Sequence, residues 1–422
     1  VLVVGGRDRR FKEAQCAFFL RAASDTSDGE SVFALTPDDF AKVNPNTGTA
    51  PIFRSRRDAE ITKAIYSRLP VLVDRRRATP VSVFPVKYTT MFHMTNDAEL
   101  FRTQAQLEAD GAYPVAGGRW RKGPEEYVPL YEGKMVQAYD HRAADIVVNE
   151  ENLHRPAQPF PATDEQHANP GWLPRPQYYV ATSAVPWPAG LAWAFGFKDI
   201  TASTNVRTMI AAMVPFAGVG NTLPLILPET ENIPATQQKQ MISKYREIAP
   251  LFLGNANSAI FDYVARQKVQ STHLNWYIVE QLPVVPSDHY VCKFGKKSAA
   301  DIVREDVLAL TYTSHDMAPF ARDMGYIDRK TGEAKPPFPW DPADRARRRA
   351  RLDALYFMLY FPSETREELA ALRETATYIF STFPIVERED IAAHGRYLSR
   401  DLCLAWINAL AAGDPDAHVT LG

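Results

Sequence analysis

The sequence predicts a mixed α/β protein with a helical C-terminal part, and three observations carry this prediction. The 422 residues include 45% hydrophobic and 23% charged residues, a composition typical of about two or three globular domains. Short strand-like and helix-like segments alternate up to about residue 298. Amphipathic helical patterns dominate after that point. We therefore expect a mixed sheet with covering helices, followed by a helical domain.

Two helices are expected before residue 103. In the segment LTPDDFAKV, Thr36 is typical of an N-cap and Pro37 of a first helical position. The octet at 44–51 then predicts a rigid, irregular loop. Residues 56–69 place apolar side chains at helical spacing, with Arg and Lys on the other side. With the three arginines at 75–77 they form a basic region, for which a solvated helix face and phosphate contact both stay open.

The remaining elements follow the same kinds of signal. Residues 87–148 favour short strands, whereas the proline-rich stretch 149–176 predicts a long surface loop. The segment SAIFDYVARQKV predicts a short helix capped by Ser258. Asp341 and Pro342 are typical of the cap and first position of a long amphipathic helix, and ETREELAALRETATYIF predicts another helix after it.

Composition limits the class of protein. A net charge of −2 and a pI near 6.6 argue against a general polycation, although DNA binding needs only a local basic surface. Because no apolar run of about 18 residues and no signal-peptide pattern occurs, we expect a cytoplasmic protein without membrane contact. Cys16, Cys292 and Cys403 lack zinc-site spacing and are expected to be buried free thiols. Since the chain opens at Val1 with a strand-like run, we expect a fragment of a longer protein.

The triplet EGK at 132–134 keeps a nuclease open as an alternative. In metal-dependent nucleases with an E-x-K pattern, carboxylates hold the metal and the lysine orients the attacking water. Glu132 and Lys134 would take these roles, with Asp97 or Asp110 as the acidic partner. A tripeptide occurs often by chance, so the motif needs a matching structural context.

Two further motifs lack the pattern that their chemistry requires. Gly5 and Gly6 follow a strand-like run without the spacing of a phosphate-binding loop. Adenine methylation of DNA needs an Asn/Asp-Pro-Pro-aromatic turn that accepts the amino group of a flipped base. The Asn-Pro pairs at 44–45 and 169–170 do not continue in this way. We therefore predict no catalytic residue, no metal site and no cofactor in this chain.

Two polar stretches are the candidates for DNA contact. KDITASTNVRT at 198–208 and ARQKVQSTHLNW at 265–276 are rich in the residue types that contact phosphates and base edges. Both lie beside predicted helices or turns. We therefore expect their side chains to reach outward.

Seven segments, in order along nearly the whole chain, resemble one protein family. They are residues 44–61, 92–103, 128–142, 197–212, 257–286, 310–326 and 352–360. The family consists of large bacterial proteins that fuse an N6-adenine DNA methyltransferase to a target-recognition domain, including type IIG and type IIL restriction enzymes and the methyltransferases of the BREX and DISARM phage-defence systems. The resemblance implies a catalytic domain upstream of Val1, with S-adenosylmethionine as its cofactor. It also favours a structural or DNA-contacting role for Glu132 and Lys134, because 132–134 falls in a strand that the family shares.

The resemblance implies a connector at 1–102, a DNA target-recognition domain at 103–298 and a helical C-terminal domain at 299–422. The predicted function is sequence-specific recognition of double-stranded DNA for an adenine-N6 methyltransferase in restriction-modification or phage defence. The expected partners are duplex DNA, the chain's own methyltransferase domain and other defence proteins, and a partner-docking scaffold remains an alternative. The side chains predicted to contact DNA are Arg142, Lys198, Asn205, Arg207, Arg266, Lys268 and Asn275.

Overall fold

A computed structural model describes residues 12–27, 31–147, 157–231, 233–269 and 271–420. The motif at Gly5 and Gly6 lies outside these residues. The fold is mixed α/β with a helical C-terminal region, as predicted. Strands and helices alternate through the first part of the chain, and helices dominate after residue 298.

Helices cover both short connections and the long C-terminal segments. Those of the described residues are α1 (Pro37–Val43), α2 (Arg56–Arg68), α3 (Gln104–Ala109), α4 (Asp164–Ala168), α5 (Ala235–Ala256), α6 (Ala259–Lys268), α7 (Trp276–Val279), α8 (Ala299–Thr311), α9 (Ala318–Asp323), α10 (Pro342–Tyr360), α11 (Arg366–Ser381), α12 (Pro384–His394) and α13 (Leu398–Ala411).

The strands are short, from two to seven residues. Those of the described residues are β1 (Ala14–Ala17), β2 (Val32–Leu35), β3 (Val73–Asp74), β4 (Val81–Ser82), β5 (Val86–Thr89), β6 (Phe101–Arg102), β7 (Tyr113–Val115), β8 (Arg119–Lys122), β9 (Glu125–Tyr131), β10 (Ala144–Val147), β11 (Gln158–Pro161), β12 (Tyr179–Ala181), β13 (Trp193–Phe197), β14 (Ala211–Pro215), β15 (Gly218–Val219), β16 (Leu225–Pro228), β17 (Lys293–Phe294) and β18 (Lys297–Ser298).

Two larger sheets organise these strands. The first has the antiparallel order β6-β12-β9-β8-β7, and β15 joins β9 in parallel, so this sheet is mixed as predicted. The second has the antiparallel order β14-β13-β16-β5. Strand β5 belongs to the predicted connector, whereas its partner β16 belongs to the predicted recognition domain. The two predicted parts therefore share one sheet.

One buried apolar cluster runs from Phe18 to Leu410 and crosses both predicted domain boundaries. Helix α2 contributes Ile61 and Ile65 to this core. Helix α8 packs on α5, and α10 packs on α6, α8 and α13. The predicted domain boundaries at 102/103 and 298/299 stay predictions, and the segments on both sides of each boundary share this core.

The sequence signals for helix starts are confirmed. The Thr36 hydroxyl accepts from the backbone amide of Asp39 at 3.2 Å, and the Asp39 carboxylate accepts from the Thr36 amide at 2.8 Å, which is a capping box. The Ser258 hydroxyl accepts from the Phe261 amide at 3.3 Å and caps α6. The Asp341 carboxylate accepts from two amides in the first turn of α10. Caps are local, so the sequence alone places them.

The loop predicted at 149–176 lies mostly at the surface in its described part, as predicted, but the prediction that it lacks regular structure is wrong. Residues 157–176 contain β11, which pairs with β10, and α4, which Thr163 caps. Pro174 and Pro176 are buried. Proline suits buried extended backbone that donates no hydrogen bond, because it lacks an N–H group and has a fixed φ angle.

Two further expectations concern the cysteines and the membrane. Cys403 is buried as predicted, and burial raises the pKa of its thiol. Cys292 is exposed and Cys16 is half-buried, so the prediction of buried thiols is wrong for Cys292. Among the described helices, none has the length and apolar character that a membrane crossing requires.

Candidate nucleic-acid interface

The two polar stretches predicted to contact DNA lie side by side. The backbone amide of Thr201 donates to the carbonyl oxygen of Thr272 at 3.0 Å. The amide of Leu274 donates to the carbonyl oxygen of Asp199 at 2.8 Å. These bonds join two segments that are remote in sequence into one surface layer.

The C-terminal end of α6 borders this layer and separates two cavities. One cavity of about 170 Å³ lies against the loop at 44–51, and the other, of about 290 Å³, includes Arg54 and Ser203. Both are lined by Ile52 and Gln267, so they are neighbours across the end of the helix. We call the surface formed by residues 44–54, 198–208, 265–269 and 271–277 the recognition face.

Asp262 supports the recognition face from the interior. Its fully buried carboxylate accepts hydrogen bonds from the backbone amides of Thr208 at 2.7 Å and Met209 at 2.5 Å. The same carboxylate lies 3.5 Å from the guanidinium of Arg266. Burial raises the pKa of Asp262, while the nearby arginines and amides oppose that rise. Helix α6 therefore fixes the conformation of the polar stretch at 198–208.

Arg207 and Arg266 lie inside the protein, each with only 9% of its surface exposed. Their guanidinium groups lie 4.9 and 4.3 Å from the centre of the Phe383 ring. Arg266 also donates to the carbonyl oxygen of Asn205 at 2.9 Å, and Arg207 lies 3.7 Å from Asp353. The expectation that these side chains reach outward is wrong. They connect the recognition face to the C-terminal helices instead.

Arg142 is fully buried, away from the recognition face. Its guanidinium donates to the carbonyl oxygens of His167 at 3.2 Å, Asn169 at 3.0 Å, Trp172 at 3.0 Å and Thr313 at 3.1 Å. This burial gives no support to the prediction that Arg142 contacts DNA. Through these hydrogen bonds, Arg142 joins the segment 167–172 to Thr313, which lies after α8.

The two predicted lysines are half-buried. Burial lowers the pKa of Lys198 to about 8 and that of Lys268 to about 7. The Lys268 ammonium donates to the Val43 carbonyl oxygen at 2.7 Å and to Asn44 Oδ1 at 2.5 Å, and it lies 5.0 Å from the centre of the Tyr66 ring. Lys268 thus caps the C-terminus of α1, where helix carbonyls favour a cation.

We expect Lys268→Met to change how stability depends on pH. Burial lowers the pKa of Lys268 from 10.5 to about 7, so between these values the unfolded chain binds a proton that the folded protein lacks. The resulting penalty on folding is fully present below pH 7 and is lost as pH rises toward 10.5. We therefore expect the difference in the free energy of unfolding, variant minus wild type, to decrease as the pH is raised from about 7 to about 9.5. Urea denaturation measures this difference. A difference that stays constant over this range would contradict the assignment.

The two predicted asparagines lie at or near the surface. Asn205 is exposed, and its amide nitrogen lies 3.5 Å from the Thr201 hydroxyl oxygen. Asn275 is half-buried at the N-cap position of α7, where its side chain forms no capping hydrogen bond. Asn205 is thus the one residue classed as exposed among the seven predicted DNA-contact residues.

Other exposed groups on and beside the face were not among the predicted residues. Arg54 is exposed, with its guanidinium 5.6 Å from the centre of the Phe19 ring. Phe19 and Tyr277 are 64% and 57% exposed. Thr47 is an exposed residue of the loop at 44–51. The sequence offers polar and aromatic residue types here, but exposure depends on the tertiary packing.

A basic flank continues the recognition face. The backbone amide of Arg75 donates to Asn46 Oδ1 at 2.8 Å, which ties the flank to the loop at 44–51. The Arg75 guanidinium pairs with Glu280 at 2.9 Å. Arg76 and Arg77 follow as exposed residues, of which Arg76 pairs with Asp74 at 2.7 Å. The predicted basic region therefore supplies cations at one edge of the face.

The geometry around Glu132 gives no support to the nuclease alternative. Glu132 pairs with Lys134 at 3.1 Å, and burial raises the pKa of Glu132. Of the acidic partners, Asp97 accepts a backbone hydrogen bond in its own turn and Asp110 lies 3.5 Å from Lys122. In the described part of the chain, no group of three His, Cys, Asp or Glu side chains could hold a metal ion. The nuclease stays a prediction without geometric support.

Comparison with known proteins identifies no relative. No family model matches the chain, and no curated protein or solved structure is significantly similar to it. The resemblance to fused adenine methyltransferases therefore stays an expectation from the sequence motifs.

Proposed function

We propose that this chain binds double-stranded DNA through the recognition face. One observation carries the proposal: polar segments from distant parts of the sequence meet at this face, and backbone hydrogen bonds hold 198–208 beside 271–277. Asp262 and the buried arginines fix the layer from beneath. A rigid support is what a recognition surface needs, because ordering a loose loop on binding costs affinity.

The exposed groups suit the chemistry of a duplex. Arg54 and Arg77 are exposed cations of the kind that contact phosphates, whereas the Arg76 guanidinium pairs with Asp74 at 2.7 Å. The Asn205 amide can exchange two hydrogen bonds with an adenine edge in the major groove. Hydroxyl groups such as that of Thr47 can bind either phosphates or bases. The recognition face thus offers cations that would position the duplex through its phosphates, and polar side chains that would contact base edges.

The sequence resemblance gives this proposal its biological setting. We propose that the DNA is recognised for a bacterial adenine-N6 methyltransferase acting in restriction-modification or phage defence, in the cytoplasm. S-adenosylmethionine and the transfer of the methyl group would belong to a methyltransferase domain that partners this chain. Duplex DNA is the ligand proposed for the chain itself.

The test is the affinity of Arg54→Ala for DNA. We expect the wild type to bind a labelled duplex of randomised sequence, and the variant to bind about threefold to tenfold more weakly because one phosphate contact is lost. The slope of log affinity against log salt concentration is negative, and the loss of one phosphate contact should make it less steep by about 0.9. Fluorescence anisotropy at about 50 and about 200 mM salt measures both quantities.

Arg329→Ala is the matched control, because Arg329 is an exposed arginine in the turn between α9 and α10. Its affinity and salt slope should equal those of the wild type. If Arg54→Ala behaves like this control, Arg54 contacts no phosphate. If the wild type shows no duplex affinity at the lower salt concentration, the proposed function is wrong.

A further inference from the structure

An open groove of about 790 Å³ runs between α11 and α13, with Arg57 of α2 at one side. Helix α11 supplies most of its lining. Since α11 has 16 residues, its length is about 24 Å. A groove of this length can hold about four turns of another helix.

Three arginines line the groove. Arg366 and Arg373 are two helical turns apart on α11, about 10 Å along its axis. The Arg57 guanidinium lies 4.3 Å from the centre of the Tyr378 ring, and Arg373 donates to the side chain of Asn408. Within the described residues, none of the three arginines forms an ion pair with a carboxylate. The groove therefore carries three arginines that have no ion-pair partner within the described residues, together with the single carboxylate of Glu374.

Apolar side chains lie along the same groove. Leu369 and Ala370 face it from α11, and Leu404 faces it from α13. Leu369 and Leu404 are half-buried and Ala370 is exposed. The groove thus combines an apolar strip with a cationic border.

We infer that this groove docks an acidic amphipathic helix of a partner protein. The apolar face of such a helix would cover the strip at Leu369 and Leu404, and its Asp and Glu side chains would pair with the arginines. A DNA backbone would also attract the arginines, but it would leave the leucines in water. The lining contains one carboxylate, that of Glu374, against three guanidinium groups, so it keeps a surplus of positive charge that an acidic helix would neutralise. This inference does not depend on the proposed function.

The probe is a display library of helical peptides with randomised faces, selected on the full chain. We expect enriched peptides that have apolar residues at helical spacing and a surplus of Asp and Glu. Their binding should be lost in the double variant Arg366→Glu, Arg373→Glu and retained in Arg388→Glu. Arg388 is an exposed arginine of α12 outside the groove, and circular dichroism would show that all variants are folded.

Other results would overturn the inference. A selection that enriches no peptides, or peptides without acidic character, would remove the acidic-helix partner. Enriched peptides that bind the double variant as well as the wild type would place their site elsewhere. A double variant that loses duplex affinity while peptides fail to enrich would assign the groove to DNA. A dimer in sedimentation velocity that the double variant loses, again without peptide enrichment, would assign it to a second copy of the chain.

Discussion

Asp262→Ala is expected to lower the free energy of unfolding by about 3–5 kcal/mol, the range for breaking a buried charged network from one side. The wild-type carboxylate has no exposed surface and accepts from the amides of Thr208 and Met209. Removing it leaves two buried N–H groups without their acceptor and the Arg266 guanidinium without the carboxylate that lies 3.5 Å away. Urea denaturation measures the loss.

The same substitution should release the recognition face before the whole chain unfolds. Because the two amides are those of the last residue of the stretch 198–208 and of the residue after it, hydrogen exchange of that stretch should accelerate, and duplex affinity should fall with it. Asp328→Ala is the matched control, since the exposed Asp328 carboxylate also accepts two backbone amides, at 2.7 and 3.1 Å. This control should leave the denaturation midpoint nearly unchanged. Equal effects of the two substitutions would contradict the supporting role of Asp262.

Arg142→Met is expected to have the second largest effect, about 3–5 kcal/mol, because each buried acceptor that is left unsatisfied costs about 1–3 kcal/mol. The buried guanidinium donates to four carbonyl groups, which lie in the segment 167–172 and at Thr313. Methionine fills part of the space but donates no hydrogen bond, so these oxygens lose their donor. Urea denaturation at neutral pH measures the change.

Arg175→Met provides the comparison, because Arg175 is an exposed arginine of the same region. We expect it to change the free energy of unfolding only slightly, as exposed substitutions do. A stable Arg142→Met protein that has lost duplex affinity would restore Arg142 as a DNA contact. A destabilised variant supports the structural role.

The fold class and several helix starts follow from local rules. Thr36, Ser258 and Asp341 cap their helices as predicted, because a cap involves residues within one turn. Helix α10 follows from its apolar stripe in the same way. The class follows from the alternation of such segments along the chain.

Helix α5 was not predicted, although it has 22 residues. Its C-terminal half, from Ile248 to Ala256, is buried on every side, so no polar face marks the helical period. Pro250 also lies inside this helix, and proline is ordinarily a signal for a break. Tertiary burial overrides both local signals.

The candidate site was predicted in outline and not in detail. Sequence composition selected the stretches 198–208 and 265–276, and the structure brings them together. Residue type alone could not separate buried arginines such as Arg207 from exposed ones such as Arg54. That difference depends on Asp353 of α10 and on Phe383 between α11 and α12, which are distant in sequence.

Amide hydrogen exchange with and without duplex DNA tests the recognition face most directly. We predict that DNA slows exchange in residues 44–54, 198–208 and 271–277 at a salt concentration that permits binding. The groove between α11 and α13 should exchange at the same rate in both samples. Protection confined to the groove or to the six-stranded sheet, with none on the recognition face, would contradict the account.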